Sequence, residues 1–138
     1  MQKFHLAWDE SRHTLGIQSI DQQHHTLVEL VNELAEAVAH GCDCELARQR
    51  MESIIRFTEG HFAHEEALMR EHGFPALESH AAEHVEVLRK AITLLEAFKP
   101  NDTNRAVLVT AFLTDCAEHH ILHEDKEMVL YLREQGLS

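Results

Sequence analysis

The sequence predicts an all-α protein, an antiparallel up-down four-helix bundle with an N-terminal arm. Three observations carry this expectation. Only five Gly and two Pro occur in 138 residues, and β-branched runs are scarce, so little interrupts helix. Apolar residues return at alternating spacings of four and three along four long stretches, which is the stripe of a helix facing a core. Short breaker runs at Gly41, Gly73-Phe74-Pro75 and Pro100-Asn101-Asp102 separate those stretches, and loops this short favour antiparallel neighbours.

The length suits one domain, expected to span residues 1–138, with an arm over 1–18 and the bundle over 19–135. The arm lacks a sustained period. Ser19 with Gln22 forms a capping-box start for the first helix, and Gly41 follows its end. Its inward stripe is Ile20, His24, Leu27, Val31, Leu34 and Val38. Asp43 is placed to cap the second helix, which runs until Gly73 with Ala47, Met51, Ile54, Thr58, His61, Glu65 and Leu68 inward. Pro75 suits the first turn of the third helix and Pro100 ends it, with Leu77, His80, His84, Val87, Ala91, Leu94 and Phe98 inward. Asp102 or Thr103 caps the fourth, whose stripe is Ala106, Val109, Leu113, Cys116 and His120 before it turns polar.

Composition excludes several classes. A formal charge of −12 with no basic stripe argues against nucleic-acid binding. No stretch approaches the roughly 18 apolar residues of a membrane span. No basic region followed by an apolar run marks a signal peptide, so a cytoplasmic protein is expected. Cys42, Cys44 and Cys116 are too few and odd for a disulfide framework, and the C-x-C pair reads as incidental loop thiols. The anomaly is thirteen histidines.

Six ionisable residues fall on the inward stripes: His24, His61, Glu65, His80, His84 and His120. Buried without partners, each costs several kcal/mol, and together they would unfold an ordinary domain. His61 with Glu65, and His80 with His84, stand four apart, so each pair shares one helical face and can converge on one ion. Bound metal offsets the cost. A single zinc is saturated by four ligands, fewer than are present. The H-E-x-x-H motif of zinc proteases is absent, since the chain reads H-E-E-A-L from His64. The Glu-x-x-His motif of carboxylate-rich di-iron bundles occurs only as Glu10 to His13, in the arm. Imidazole-rich ligation suits iron, copper or zinc.

These residues also fit a family. Trp8, Gly16-Ile17 and Ile20-Asp21-Gln22-Gln23-His24 resemble the opening of the bacteriohemerythrins, and His61-Phe62-Ala63-His64-Glu65-Glu66-Ala67-Leu68-Met69 resembles their H-F-x-x-E-E-x-x-M segment. His80 with His84, and His120-Ile121 with Asp125, complete the pattern in order. The resemblance implies two iron ions joined by an oxo or hydroxo bridge. His80, His84 and His120 would bind one, His24 and His61 the other, and Glu65 and Asp125 would span both. Asp125 enters through the resemblance alone. It lies five positions beyond His120, about 140° round an ideal helix, where His123 or Glu124 is better placed.

Five imidazoles, two bridging carboxylates and a shared oxygen leave one position open on two roughly octahedral ions, on the side of His24 and His61. The implied function is reversible O2 binding for carriage, storage or delivery. O2 or redox sensing through a separate partner is the alternative, with peroxide, nitric oxide or ferroxidase chemistry ranked last, because no dedicated acid, base or substrate pocket is evident. Leu27, Phe62, Cys116, Ala117 and Ile121 would line the O2 pocket, although Leu27, Phe62 and Met69 also suit plain core packing. The family typically carries Trp-Leu where this chain has Cys116-Ala117, which predicts a roomier or refilled pocket and faster autoxidation.

The remaining candidates are expected to play lesser roles. His64, His72, His119 and His123 read as solvated or as orienting a ligand imidazole, and His25 as a surface residue. Asp21 and Gln23 suit anchoring the helix start or the His24 ring. Trp8 suits a hydrophobic plug over the bundle.

Overall fold

Helices dominate the structure, a computed structural model that describes residues 6–41, 44–99 and 102–138. In order they are α1 (Glu10–His13), α2 (Gln18–Ala39), α3 (Cys44–Glu71), α4 (Leu77–Glu96), α5 (Thr103–His119), a π-helical turn (His120–Glu124) and α6 (Asp125–Glu134). The last three form one continuous rod. α2 packs on α3 and α5, and α4 on α3 and α5, which closes a ring of four rods as the sequence predicts.

The arm is more ordered than expected. α1 is a single turn capped by Asp9, whose carboxylate accepts from the Ser11 N–H at 3.0 Å. Trp8 lies half-buried against the core, its ring 5.3 Å from that of His13 and 4.9 Å from that of exposed His25.

The expected Ser19–Gln22 capping box does not form. α2 starts at Gln18, so Ser19 already lies inside the first turn and its hydroxyl meets His64 Nε2 at 2.9 Å. Asp21 takes over the work of fixing the entry, accepting from the Leu15 and Gly16 N–H groups at 2.8 and 3.0 Å. Gly16 has φ 113°, and a Cβ there would come within 2.9 Å of the Arg133 side chain, so both backbone and space demand glycine.

The other boundaries lie close to prediction. Gly41, at φ 71°, follows α2, and Gly73, at φ 66°, follows α3. Tyr131 on α6 donates its hydroxyl to the His72 carbonyl at 2.8 Å, tying the α3–α4 turn to the fourth rod. Pro75 stands in that turn, two residues before α4 rather than in its first turn. Asp102, not Thr103, caps α5 by accepting from the Arg105 N–H at 2.9 Å. The Asp43 cap, the Cys42 thiol, the Cys44 side chain and the Pro100 stop lie outside what is described.

Most of the inward stripes are buried, with Val38, Leu77, Val87 and Leu94 half-buried and two shifts. Met69 rather than Leu68 is enclosed near the end of α3, and Ala117 is better buried than its neighbour Cys116. The core is divided. Leu27, Val31, Leu34, Met51, Ile54, Ala91 and Leu113 belong to one apolar cluster, and Ile17, Ile20, Met69, Phe74, Met128 and Leu132 to another. Each enclosed Leu, Ile or Met contributes roughly 1.5–3 kcal/mol. A layer of imidazoles and carboxylates separates the two clusters, because each rod switches from apolar to ionisable residues at the same height.

Candidate metal centre

Each rod contributes to this layer. α2 supplies His24, α3 His61 and Glu65, α4 His80 and His84, and the fourth rod His120 and Asp125. All are buried, from 0% exposure for His24, Glu65 and Asp125 to 7% for His80. Their ligand atoms form two overlapping groups, one of His24, His61, Glu65, His120 and Asp125 and one of Glu65, His80, His84 and Asp125, in each of which the atoms lie within 4.8 Å of one another.

The carboxylates stand between the rings. Glu65 Oε2 is 2.9 Å from His61 Nε2 and 3.4 Å from His24 Nε2, while its Oε1 is 3.3 Å from both His84 Nε2 and His120 Nε2. Asp125 Oδ1 is 3.1 Å from His80 Nε2, and its Oδ2 is 2.7 Å from His24 Nε2 and 2.8 Å from His120 Nε2.

Three rings are held from behind. His61 Nδ1 donates to Gln23 Oε1 at 2.7 Å, His84 Nδ1 to Glu66 at 2.8 Å and His120 Nδ1 to Glu124 at 3.1 Å. A hydrogen on Nδ1 leaves the Nε2 lone pair facing inward, the form that ligates metal. Two such lone pairs repel, yet His61 Nε2 and His120 Nε2 stand 3.0 Å apart. A cation must lie between them, or one ring must carry an extra proton. Both Glu65 oxygens and His84 Nε2 are fully enclosed with no hydrogen-bond partner. An imidazole-rich set with enclosed, unpartnered carboxylate oxygens fits a metal pair.

Protonation follows the same logic. Burial opposes charge on His120, but the Asp125 and Glu65 carboxylates outweigh it and hold its imidazole well above the usual range. Burial works against ionising Glu65 too, and His120 outweighs it, leaving that carboxyl well below the usual value. Burial wins at His61, whose pKa falls. Without metal, a proton on His120 stands in for the cation. Glu124 is lowered to about 2, chiefly by the hydrogen bond from His120.

The position of Asp125 has a structural cause. Its N–H donates to the His120 carbonyl, an i→i+5 bond that widens the turn and brings residue 125 back over the face of His120. On a regular helix it would point elsewhere. Asp21 holds the arm rather than a ligand, and Gln23 orients His61 rather than His24. Glu66, which the period assigns to a flank, takes the back of His84. Phe62 stacks on His84 with ring centroids 3.7 Å apart.

Beside His120 lies a cavity of ≈ 30 Å³. Leu27, Phe62, Cys116 and Ala117 line it with Thr58 and Leu113, whereas Ile121 is enclosed elsewhere in the core. Burial, then the charges of Glu124 and Asp115, push the Cys116 thiol up to about 11, so it is neutral.

The family described as the hemerythrin HHE cation binding domain matches residues 15–132. The chain belongs to this family. A bacteriohemerythrin from Methylococcus capsulatus (strain Bath) is 26% identical over 121 residues, covering 88% of this chain and 92% of that one. A bacteriohemerythrin from Pseudomonas aeruginosa (strain LESB58) is 35% identical over 86 residues, 62% of this chain, and the match spans 55% of the relative's length. A crystal structure of a hemerythrin point mutant superposes with a TM-score of 0.80 at 24% identity, covering 92% of this chain and 96% of that one. Wild-type hemerythrin gives 0.76 at 23% identity, covering 92% and 97%. These structures share the fold. The layer is thus a cluster able to hold metal within a hemerythrin-type domain, and no described helix is long and apolar enough to cross a membrane.

Proposed function

We propose that this hemerythrin domain holds two iron ions and binds O2 reversibly, in carriage, storage or delivery. His80, His84 and His120 hold one ion, His24 and His61 the other, and Glu65 and Asp125 span both, with an oxo or hydroxo bridge as in the family. Glu65 supports this division, since its Oε1 faces His84 and His120 and its Oε2 faces His61 and His24. Asp125 Oδ2 leans the other way, placing His120 beside His24. His120 Nε2 also stands 3.0 Å from His61 Nε2, so its ligand atom groups with those of His24 and His61. A ferrous pair supplies the two electrons that O2 takes up on binding and returns on release.

One observation carries the reading. A mostly apolar cavity reaches a ligand imidazole inside an enclosed bundle, that of His120, while neither His24 nor His61, the side expected to hold the open position, lines it. Its ≈ 30 Å³ compares with the roughly 10–15 Å³ that one water needs, so a diatomic molecule fits. The Thr58 hydroxyl is committed to the Ile54 carbonyl at 2.7 Å and the Cys116 thiol is neutral. Glu124, the carboxyl in the wall, is ionised and accepts from His120. Among the described lining residues, none apart from the ligand His120 is set to deliver a proton to a bound ligand, which favours release over cleavage. Cys116 and Ala117 keep the cavity open, so autoxidation faster than in a Trp-Leu pocket is expected.

Anaerobic reduction, air exposure and nitrogen flushing test the proposal. A visible charge-transfer band should appear with O2 and vanish on flushing, in protein carrying two irons per chain. Irreversible oxidation on first exposure would sink it.

A further inference from the structure

The ligands are not equally enclosed. His80 is the most open, at 7% exposure. It forms part of the wall of a second, polar cleft of ≈ 260 Å³ between α4 and the fourth rod. Behind His61, His84 and His120 stand Gln23, Glu66 and Glu124, which hold those rings. His24 has no such support on Nδ1, but it is fully buried. Among the seven residues of the layer, His80 alone combines an imidazole not held from behind with a place in the wall of an open cleft.

What shares the cleft with His80 suits a cation. Glu83 lies one turn beyond it on α4, and Glu124 and Glu127 face it from the fourth rod. His119 and His123 stand together with ring centroids 5.0 Å apart. Among the described residues, no Lys or Arg lines this space. The cavity beside Leu27 offers a drier environment, with a mostly apolar wall in which Glu124 is the one carboxylate. Driving a divalent ion through that wall would strip most of its water with only Glu124, already hydrogen-bonded to His120, to replace it, at a cost of several kcal/mol. An uncharged diatomic molecule meets no such barrier there.

We propose that the two openings divide the traffic, and that the polar cleft is the port by which a divalent cation reaches the centre. Glu83 and Glu127 draw in the hydrated ion, His119 and His123 replace part of its water, and His80 swings outward to pass it to Asp125. The proposal rests on the metal-binding reading above, and it concerns the route rather than the final ligands.

Metal-free protein mixed anaerobically with Fe(II), then quenched with a chelator at increasing times, tests it. The double variant E83Q/E127Q should load about threefold to tenfold more slowly at low ionic strength, and the gap should shrink in ~0.5 M salt. It should reach the same final iron content as the parent. E29Q/E33Q removes the same charge from residues 62% and 54% exposed on α2 and should load at the parent rate. The variant H119A/H123A should also slow loading, with every carboxylate of the cleft left in place. Equal rates for cleft variants and parent would overturn the port. So would equal slowing by both carboxylate pairs, which would reduce the effect to net charge, or a fall in final iron content. If the parent itself takes up no Fe(II), the metal-binding reading fails and the port with it.

Discussion

His61 and His120 meet nitrogen to nitrogen at 3.0 Å with each Nδ1 hydrogen already committed, so a positive charge must lie between them. The acceptors behind the rings therefore do as much as the ligands. Replacing Glu66 by Ala frees the His84 ring and should lower metal affinity about 10–100-fold with little change in melting of the metal-free protein. A chelator-competition titration measures this, and an unchanged affinity would show that Phe62 stacking alone orients His84. Cys116 gives a second prediction. Its thiol is held near 11, so alkylation at neutral pH should be slow and should rise toward pH 11. Peptide mass spectrometry separates it from Cys42 and Cys44. A folded-state pKa above the ordinary value of 9 also means that its stabilising contribution, present below pH 9, is lost as pH rises through about 11.

Six of the seven buried residues proposed as ligands can be placed inward directly from the sequence, because period alone puts His24 inward and His25 outward, and Glu65 inward beside Glu66. The orienting acceptors cannot be read this way. Gln23, Glu66 and Glu124 serve rings on other helices or across a turn, and that pairing depends on how the rods dock.

At the level of elements, the π turn separates what periodicity predicts from what folds. A repeat of 3.6 residues carries His120 inward and then discards Asp125, and only the widened turn recovers it. The four-rod plan and most helix ends were legible, since breakers and stripes are local signals. The start of α2 was not, because Asp21 reaches back to Leu15 and Gly16 while Ser19 is drawn to His64. Asp21→Ala should cost about 1–3 kcal/mol through two lost acceptors. It should speed proteolysis of the arm while leaving metal content intact. Loss of metal together with the arm would show instead that the arm seals the centre.

For the whole molecule, the ionisable layer makes metal and stability inseparable. Ligand at ~1,000 times its dissociation constant adds about 4 kcal/mol, a shift on the order of 10 °C or more in melting temperature for a chain of this size. Removing the metal should reverse that shift, and calorimetry on matched samples measures it. The neighbouring carboxylates raise the His120 pKa and favour a proton there in the metal-free protein, so its stabilising contribution is complete below the ordinary value of 6.5 and is lost as pH rises through the folded value. Metal uptake must displace that proton. A weakly buffered solution at neutral pH should therefore acidify when metal is added.

His24 and Asp125 meet at 2.7 Å although 101 positions separate them along the chain. Ions seated there act as rivets through all four rods at once, so no partial assembly of two or three helices offers a complete seat. Such a seat is finished only when the last rod closes against the first. Metallation is then a late event, and an unfilled bundle should loosen as one body rather than fray from an end.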